Sequence, residues 1–369
     1  MTTGNKEPSV ATPGTGRHRT RRSALQRFRD ADHFHLGNRN IPVDTLRGIA
    51  CIFLVTFHVI GDTSSAGIHV ADDSAFRYYT DSVVYLRMPL FTLLSGMVYA
   101  WRPLRDTRRY PDFMRKKARR LLVPYVIFVP VLGFTQMVAP GVNGSVDFEP
   151  VNWLLTSLGP YWFLLTTFWM FAVVALLDSY RLLESPLVFG ALFVAVLAVV
   201  AAVHTEGFDF LQLGQALSRF PFFLAGMAFH RFRLIPGRAA TIAAVTVLLV
   251  ALVVVVQLAV RGTIGDMDSR HNIVGIALGI VFPLAFLSWK LQSHLLAWIG
   301  GYSSGIFLLH SFAVGFFRAV LDALGVEADT PLFILASLGG LFGSIFGVWL
   351  LRKVTVGKII LGEKTAKKN

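Results

Sequence analysis

Long apolar segments recur along this chain and constrain its fold more than any other feature of the sequence. Ten segments of about twenty mostly apolar residues alternate with short polar connections. An α-helix of that length spans about 30 Å, the thickness of the hydrocarbon layer of a membrane. Only α-helices and closed β-barrels cross that layer, because it holds no water to satisfy backbone N–H and C=O groups. The sequence therefore predicts an all-α protein, a polytopic membrane helix bundle.

The predicted membrane-spanning helices divide the chain into three regions. Their bounds are 42–60, 80–101, 120–139, 160–178, 186–204, 212–230, 239–260, 272–290, 301–321 and 331–351. We predict a transmembrane domain at 41–352, a disordered basic tail at 1–40 and a second basic tail at 353–369. The first tail has no apolar core, so we expect no cleavable signal peptide.

The distribution of basic residues predicts the orientation of the bundle. Of the 35 lysines and arginines, 28 lie in the two tails and in alternate connections. The opposite connections are acidic and hold three, Arg77, Arg261 and Arg270. Because cytoplasmic segments of membrane proteins are enriched in lysine and arginine, we expect both termini in the cytoplasm. We therefore interpret the net charge of +13 as a topology signal and expect no nucleic-acid partner.

The composition argues against several other classes of protein. Only 15% of the residues are charged, whereas a soluble protein carries about a quarter. The single cysteine, Cys51, permits no internal disulfide. The motifs GxxxxGK[ST], GxSxG and HExxH are absent, so we expect neither nucleotide hydrolysis nor a metal site.

Three ionisable residues, Asp44, Arg47 and His58, interrupt the first apolar segment. Arg47 follows Asp44 by about one helical turn, and His58 follows Arg47 by eleven residues. Eleven residues at 100° each return to within about 20° of the starting direction and rise roughly 16 Å. The three side chains therefore share one helix face, beside Cys51. Because charges inside a membrane span normally face protein or a water-filled cavity, we predict that this face lines an intramembrane site.

The residue types on this face suit acid–base chemistry. Histidine titrates near neutral pH, so His58 could take a proton from a hydroxyl, or it could carry an acyl group as a nucleophile. Arg47 could hold a phosphate or polarise a carbonyl, and Asp44 could orient Arg47. The alternatives are an interfacial role for His58 and a purely structural ion pair between Asp44 and Arg47.

Three basic residues in the next two segments are candidate substrate-binding groups. Arg87 lies inside the second segment, two residues before Pro89, which loosens the helix there. Lys117 and Arg120 belong to a run of five basic residues just before the third segment. They could bind the phosphates of a donor, or they could simply reflect the orientation of the bundle.

Later segments add Trp162, Arg219 and His310 to the candidate substrate-binding residues. Trp162, with the neighbouring Tyr161 and Phe163, could contact substrate or could form an aromatic belt at the membrane interface. Arg219 and His310 are ionisable residues within apolar segments, and such residues mark functional sites by default.

Five short motifs resemble those of the membrane-bound acyltransferase 3 family, in chain order from about 40 to 350. They are DTLRGIA at 44–50 with His58 after it, MPLFTLLSG at 88–96, KARRLLVPY at 117–125, WFL at 162–164 and SSGIFLLH at 303–310. Many members have Arg-x-x-Arg in the third motif, where this chain has Lys117 and Arg120. Each motif is short, but five in order on a bundle of ten spans are specific.

The resemblance implies an acyl transfer from cytoplasmic acyl-CoA to a hydroxyl of a glycan or glycolipid, in a bacterial inner membrane. The expected acyl group is acetyl, with succinyl and other short groups as alternatives. The family's central arginine and histidine map onto Arg47 and His58. We expect acyl-CoA to act as a co-substrate and the protein to be embedded in a lipid bilayer. We expect no bound cofactor. The acceptor and the oligomeric state stay open.

Three functional hypotheses follow. The leading one is an integral-membrane O-acyltransferase, in which Arg47 near the inner end and His58 near the outer end connect a cytoplasmic donor with an acceptor. The second is a transporter or flippase that uses buried arginine and histidine as substrate or proton-relay sites. It is disfavoured because we find in the sequence no internal repeat and no paired broken helices in matching halves, which many transporters have. The third, a sensor or scaffold without chemistry, is disfavoured because the motif positions are filled.

Overall fold

A computed structural model of the chain describes Met1 and residues 40–138, 146–203, 208–264 and 272–364. These residues form α-helices joined by turns and short 3₁₀ segments, without a β-strand among them, which confirms the all-α prediction. By its contacts the chain divides into a unit at 1–39 and a unit at 40–369. The predicted disordered tail at 1–40 lies, apart from Met1 and Asn40, outside the described residues.

The described ranges contain thirteen α-helices. They are α1 Ile41–Ile60, α2 Ala75–Trp101, α3 Tyr110–Val138, α4 Pro150–Thr156, α5 Trp162–Ser179, α6 Pro186–Ala202, α7 Leu213–Arg231, α8 Ala239–Val260, α9 Ile273–Ser288, α10 His294–Gly301, α11 Ser303–Ala323, α12 Asp329–Arg352 and α13 Thr355–Ile360. Each of the ten predicted segments overlaps one of the ten longer helices, although α2 and α3 begin five and ten residues before the predicted bounds. The short helices α4, α10 and α13 lie in segments that the sequence predicted as connections or tail.

Seven of these helices are long and apolar enough to cross a membrane. They are α1, α2, α3, α5, α8, α11 and α12, the third and fourth together with the 3₁₀ turns that precede them. The apolar helices α6 and α9 are shorter, with 17 and 16 residues. Helix α7 carries Gln215 and Arg219 in an otherwise apolar segment and does not meet the same criteria. The chain is thus a multi-span membrane protein, while the count of ten spans and the orientation stay predictions.

Helix α1 is the central element of the bundle. The Asn40 side chain caps its first turn by accepting a hydrogen bond from the Val43 amide at 3.3 Å. The helix ends at Gly61, whose φ of 88° requires the left-handed backbone that glycine tolerates. Between these ends α1 packs against α2, α10, α11 and α12. Its polar residues are therefore enclosed by other helices.

Two glycines allow the short helix α10 to lie directly against the first turns of α1. A Cβ atom at Gly48 would overlap the backbone carbonyl of Leu296, and one at Gly300 would overlap that of Asp44. The Thr45 hydroxyl also accepts a hydrogen bond from the Ser293 amide at 3.1 Å. This contact covers the turn of α1 that carries Asp44.

Helices α2 and α7 cross at a similar close contact. A Cβ atom at Gly96 would overlap the carbonyl oxygen of Phe223, and one at Gly226 would overlap that of Leu93. Small residues at such crossings let two membrane helices approach backbone to backbone. The crossing fixes α2 and α7, which carry Arg87 and Arg219, relative to each other.

A buried ion pair joins α5 to α7 near the ends of both helices. The Arg231 guanidinium donates two hydrogen bonds to the Asp178 carboxylate, at 2.6 and 2.7 Å, and a third to the Leu183 carbonyl at 2.8 Å. Only 2% of Asp178 is exposed. A bidentate ion pair with a further hydrogen bond to a backbone carbonyl holds the two helices in one register. We call this side of the bundle, where α2 also ends and α3 begins, the basic end.

The α2–α7 crossing predicts that alanine destabilises the protein at Gly226 but not at a glycine outside the crossing. Gly226→Ala should lower the free energy of unfolding by about 1–3 kcal/mol, because the added methyl group meets a backbone carbonyl that cannot move aside. The control is Gly190→Ala in α6, where no atom lies within 4 Å of the new Cβ. This control should be neutral or stabilising by about 1 kcal/mol, since alanine favours helix. Equal stability of the two purified variants in thermal unfolding would contradict the close crossing.

Candidate active site

Two histidines from different helices meet inside the bundle. The rings of His58 on α1 and His310 on α11 have centroids 4.6 Å apart and planes tilted by 52°. His310 is fully buried, and its Nδ1 lies 2.8 Å from the Phe307 carbonyl and 3.1 Å from the Ile306 carbonyl. Because a carbonyl can only accept, Nδ1 carries the proton and Nε2 keeps its lone pair. That Nε2 is buried without a hydrogen-bond partner among the described residues.

An arginine lies beside the histidine pair. The guanidinium carbon of Arg87 is 3.3 Å from the ring centroid of Phe57, the residue before His58. Its Nη1 is buried and has no hydrogen-bond partner in the described part of the chain. Arg87 is within electrostatic reach of His58 and of Asp62, just beyond α1. A cation is thus held over an aromatic ring with one donor available to a ligand.

A second arginine extends this group toward α5. The guanidinium carbon of Arg219 on α7 lies 5.9 Å from the Trp162 ring centroid, and Arg219 is within electrostatic reach of Arg87. Two cations held near each other inside a bundle repel, and sites that bind negative charge make use of such pairs. We call His58, Arg87, Trp162, Arg219 and His310 the histidine–arginine cluster. Five of the nine predicted site residues therefore converge in space.

The aromatic-belt alternative for the start of α5 is wrong for two of its three residues. Tyr161 is fully buried, and its hydroxyl donates a 2.7 Å hydrogen bond to the Leu308 carbonyl. Phe163 is also buried, and its ring centroid is 5.5 Å from that of Phe307. Both residues connect α5 to the turn of α11 that precedes His310. The WFL motif gave no sign of this role, because an interfacial and a buried aromatic look alike in a sequence.

Asp44 and Arg47 lie at the other end of α1. Arg47 donates a 2.7 Å hydrogen bond to Asp44, with 6% of the Asp44 side chain and 27% of the Arg47 side chain exposed. A Cβ atom at Gly300 would approach the Arg47 Cβ to 3.0 Å, so this turn borders α10. Since α1 is continuous, Arg47 and His58 are separated by roughly 16 Å along one helix. The Asp44–Arg47 ion pair is present, as both the functional interpretation and the structural alternative require.

Lys117 and Arg120 also lie apart from the cluster, near the start of α3. The Lys117 ammonium is 3.2 Å from the ring centroid of Phe171 on α5, so Lys117 points into the bundle. Arg120 is exposed. Of the predicted donor-binding residues, one is thus enclosed by aromatic side chains and the other is open to ligand.

Gln215 is a polar residue near the cluster that the sequence reasoning missed. It precedes Arg219 by four residues on α7, which places both side chains on one helix face. Its Oε1 is buried and makes no hydrogen bond to any described residue. A glutamine four residues before an arginine in an apolar helix was the available signal.

The described residues contain no group of three or more His, Cys, Asp and Glu placed to hold a metal ion. The polar groups of the cluster and of the nearby Gln215 are instead imidazole, guanidinium and amide groups. These groups can move protons and bind oxygen atoms that carry negative charge.

Comparison with known proteins supplies the family. No curated protein and no solved structure gives a significant match to the chain. The family model Acyl_transf_3, described as an acyltransferase domain, matches residues 40–353. That range contains both ends of α1, the histidine–arginine cluster and the basic start of α3. The resemblance carried by the five motifs is confirmed, and the chain belongs to the membrane-bound acyltransferase 3 family.

Proposed function

We propose that this chain is an integral-membrane O-acyltransferase that moves a short acyl group, acetyl or succinyl, from cytoplasmic acyl-CoA to a hydroxyl of a cell-surface glycan or glycolipid. The observation that carries the proposal is the contact between His58 and the fully buried His310 inside the bundle, with the available Nε2 of His310 and the Arg87 guanidinium beside it. The family match supports acyl transfer in general. The donor, the acceptor, the inward-facing basic end and a bacterial inner membrane are parts of the proposal.

The donor enters at the basic end in this proposal. Arg120 is exposed and binds the phosphates of acyl-CoA. Lys117, on the same helix but facing the interior of the bundle, adds positive charge nearby. The thioester arm then runs along α1 past Arg47, which Asp44 orients through their 2.7 Å hydrogen bond. This path leads from one end of α1 to His58 near the other.

The transfer itself takes place at the histidine–arginine cluster. His58 takes the proton of the acceptor hydroxyl, and the Nε2 lone pair of His310 accepts a hydrogen bond from the resulting imidazolium. The hydroxyl oxygen attacks the thioester carbonyl carbon. Arg87 and Arg219 stabilise the negative oxygen of the tetrahedral intermediate. The carbon–sulfur bond then breaks, and the CoA thiolate leaves with the proton returned by His58. A covalent acyl-histidine on His58 is an alternative that passes through the same atoms.

The acceptor binds on the other side of the histidines. The Trp162 ring offers a flat surface for one face of a sugar, as indole rings combine apolar area with a polar edge. Gln215 and the available donor of Arg87 hydrogen-bond to acceptor hydroxyls. The residues that lack partners are thus matched by a ligand rich in hydroxyl groups.

Substitution of either histidine should remove acyl transfer while the fold is retained. His58→Ala removes the base, and His310→Asn keeps a donor near the position of Nδ1 but removes the lone pair of Nε2. We expect donor-dependent release of free CoA with acceptor present to fall by about 10²–10⁴-fold in both variants. The measurement is thiol release by purified protein, with thermal unfolding as the check on folding.

The exposed histidine His294, at the start of α10, provides the matched control. His294→Ala should retain full activity. Full activity of His58→Ala would remove His58 from the mechanism. Accumulation of an acceptor in sealed vesicles without any acyl donor would instead favour the transporter hypothesis.

Substitution at the donor end should affect binding without affecting chemistry. Arg120→Gln should raise the KM for acyl-CoA several-fold, by about 1–2 kcal/mol in binding, with kcat unchanged, because the phosphates lie far from the reacting carbonyl. Arg108→Gln, another exposed arginine near the start of α3, should change neither constant. A fall in kcat with KM unchanged for Arg120→Gln would contradict a role limited to phosphate binding.

A further inference from the structure

A groove on the outer surface of α3 has no role in the proposed acyl transfer. It has a volume of about 800 Å³ and combines a group of basic side chains with an apolar wall. The basic side chains are those of Arg115, Lys116 and Arg119 of α3 and of Lys364 beyond α13. The apolar wall follows along the same helix.

The groove faces away from the donor-binding residue Lys117. Lys117 is two residues from both Arg115 and Arg119, which places it about 200° around the helix from each. Its ammonium lies over the Phe171 ring of α5, inside the bundle. The run of five basic residues is therefore divided between two sides of α3, and the groove holds the outer side.

The basic side chains of the groove carry more positive charge than the nearby carboxylates neutralise. Asp112 is the one carboxylate among the described residues that line it. The Nε of Arg119 is buried and has no hydrogen-bond partner in the described ranges. Buried guanidinium donors are normally paired, and the planar guanidinium group matches phosphate oxygens well. The charge and the available donor both point to an anionic ligand.

The C-terminal segment is fixed against this site. Gly362 has a φ of 68°, and a Cβ atom there would come within 2.7 Å of the Arg119 carbonyl oxygen. The next residue, Glu363, pairs with Arg352 at 2.8 Å. These contacts hold the chain across α3 and bring Lys364 to the groove.

The apolar wall indicates a ligand with a hydrocarbon chain. Leu122, Val123 and Val126 follow Arg119 by one to two turns, and Val126 is 55% exposed. The rise from Arg119 to Val126 is about 10 Å, enough for the first part of an acyl chain. A free phosphate or a nucleotide would leave this wall uncovered. A phospholipid covers it and also supplies the negative charge.

We propose that this groove binds one anionic phospholipid from the leaflet at the basic end. Its phosphate lies between Arg115, Lys116, Arg119 and Lys364, and one acyl chain lies along Leu122 and Val126. Basic pockets at the cytoplasmic side of membrane helices bind anionic headgroups for the same electrostatic reason. The site is separate from the histidine–arginine cluster, so it does not depend on the proposed acyl transfer.

The test compares lipid retention by the full chain and by two charge-matched variants. The protein is purified in detergent, incubated with phosphatidylglycerol or phosphatidylcholine, and measured by native mass spectrometry. We expect wild type to retain one phosphatidylglycerol and no phosphatidylcholine. The variant Lys116→Gln with Arg119→Gln should bind phosphatidylglycerol about 30-fold more weakly, because it loses two cations at the headgroup. The control Arg108→Gln with Arg109→Gln, exposed and outside the groove, should match wild type.

Three results would overturn the proposal. The first is equal retention of the two lipids, and the second is equal retention by the groove variant and wild type when both show the same thermal unfolding. The third is displacement of the lipid by millimolar inorganic phosphate or by CoA, which would assign the groove to a soluble phosphate or to the donor. Retention of phosphatidylglycerol in the presence of both competitors supports the lipid site.

Discussion

Charged side chains inside a membrane must be surrounded by protein, because hydrocarbon cannot solvate them. This requirement explains why α1 lies at the centre of the bundle. Helix α10 covers its Asp44 turn at one end, made possible by Gly48 and Gly300. At the other end, α2 and α11 enclose His58. The helix that carries Asp44, Arg47 and His58 is thus among the most enclosed, while the uniformly apolar α8 lies at the periphery with little of its surface buried.

The same helix, α1, carries its ionisable residues in two groups, one near each end. Arg47 and His58 share a face of α1 but are separated by roughly 16 Å, so no single small molecule contacts both. A long donor with phosphates at one end and a thioester at the other fits this separation. Helix α3 divides its basic residues in another way, with Lys117 turned inward and Arg119 turned toward the outer groove. One helix therefore presents two separate basic surfaces, which we propose bind a soluble donor and a lipid.

The sequence predicted the long helices well because their apolar length is a property of local sequence. It also singled out Arg87, Arg219 and His310 as isolated ionisable residues in apolar segments, and the structure places them near His58. Their role in a functional site stays a prediction. The sequence could not predict partners, because the contact between His58 and His310 joins residues far apart in the chain. Helix α10 was missed because eight residues carry too little periodicity. The burial of Tyr161 depends on the position of α11, which no local pattern encodes.

The most direct test of the central claim, that donor and acceptor meet at the histidine pair, is an experimental structure with a non-hydrolysable acyl-CoA analogue bound. The account predicts the phosphates at Arg120, the pantetheine arm beside Arg47, and the acyl carbonyl within hydrogen-bond reach, about 3 Å, of His58 or Arg87. An analogue whose acyl carbonyl lies at the basic end, beside Asp44 or outside the bundle, would contradict the account. In that case the histidine pair would have to serve a step other than acyl transfer.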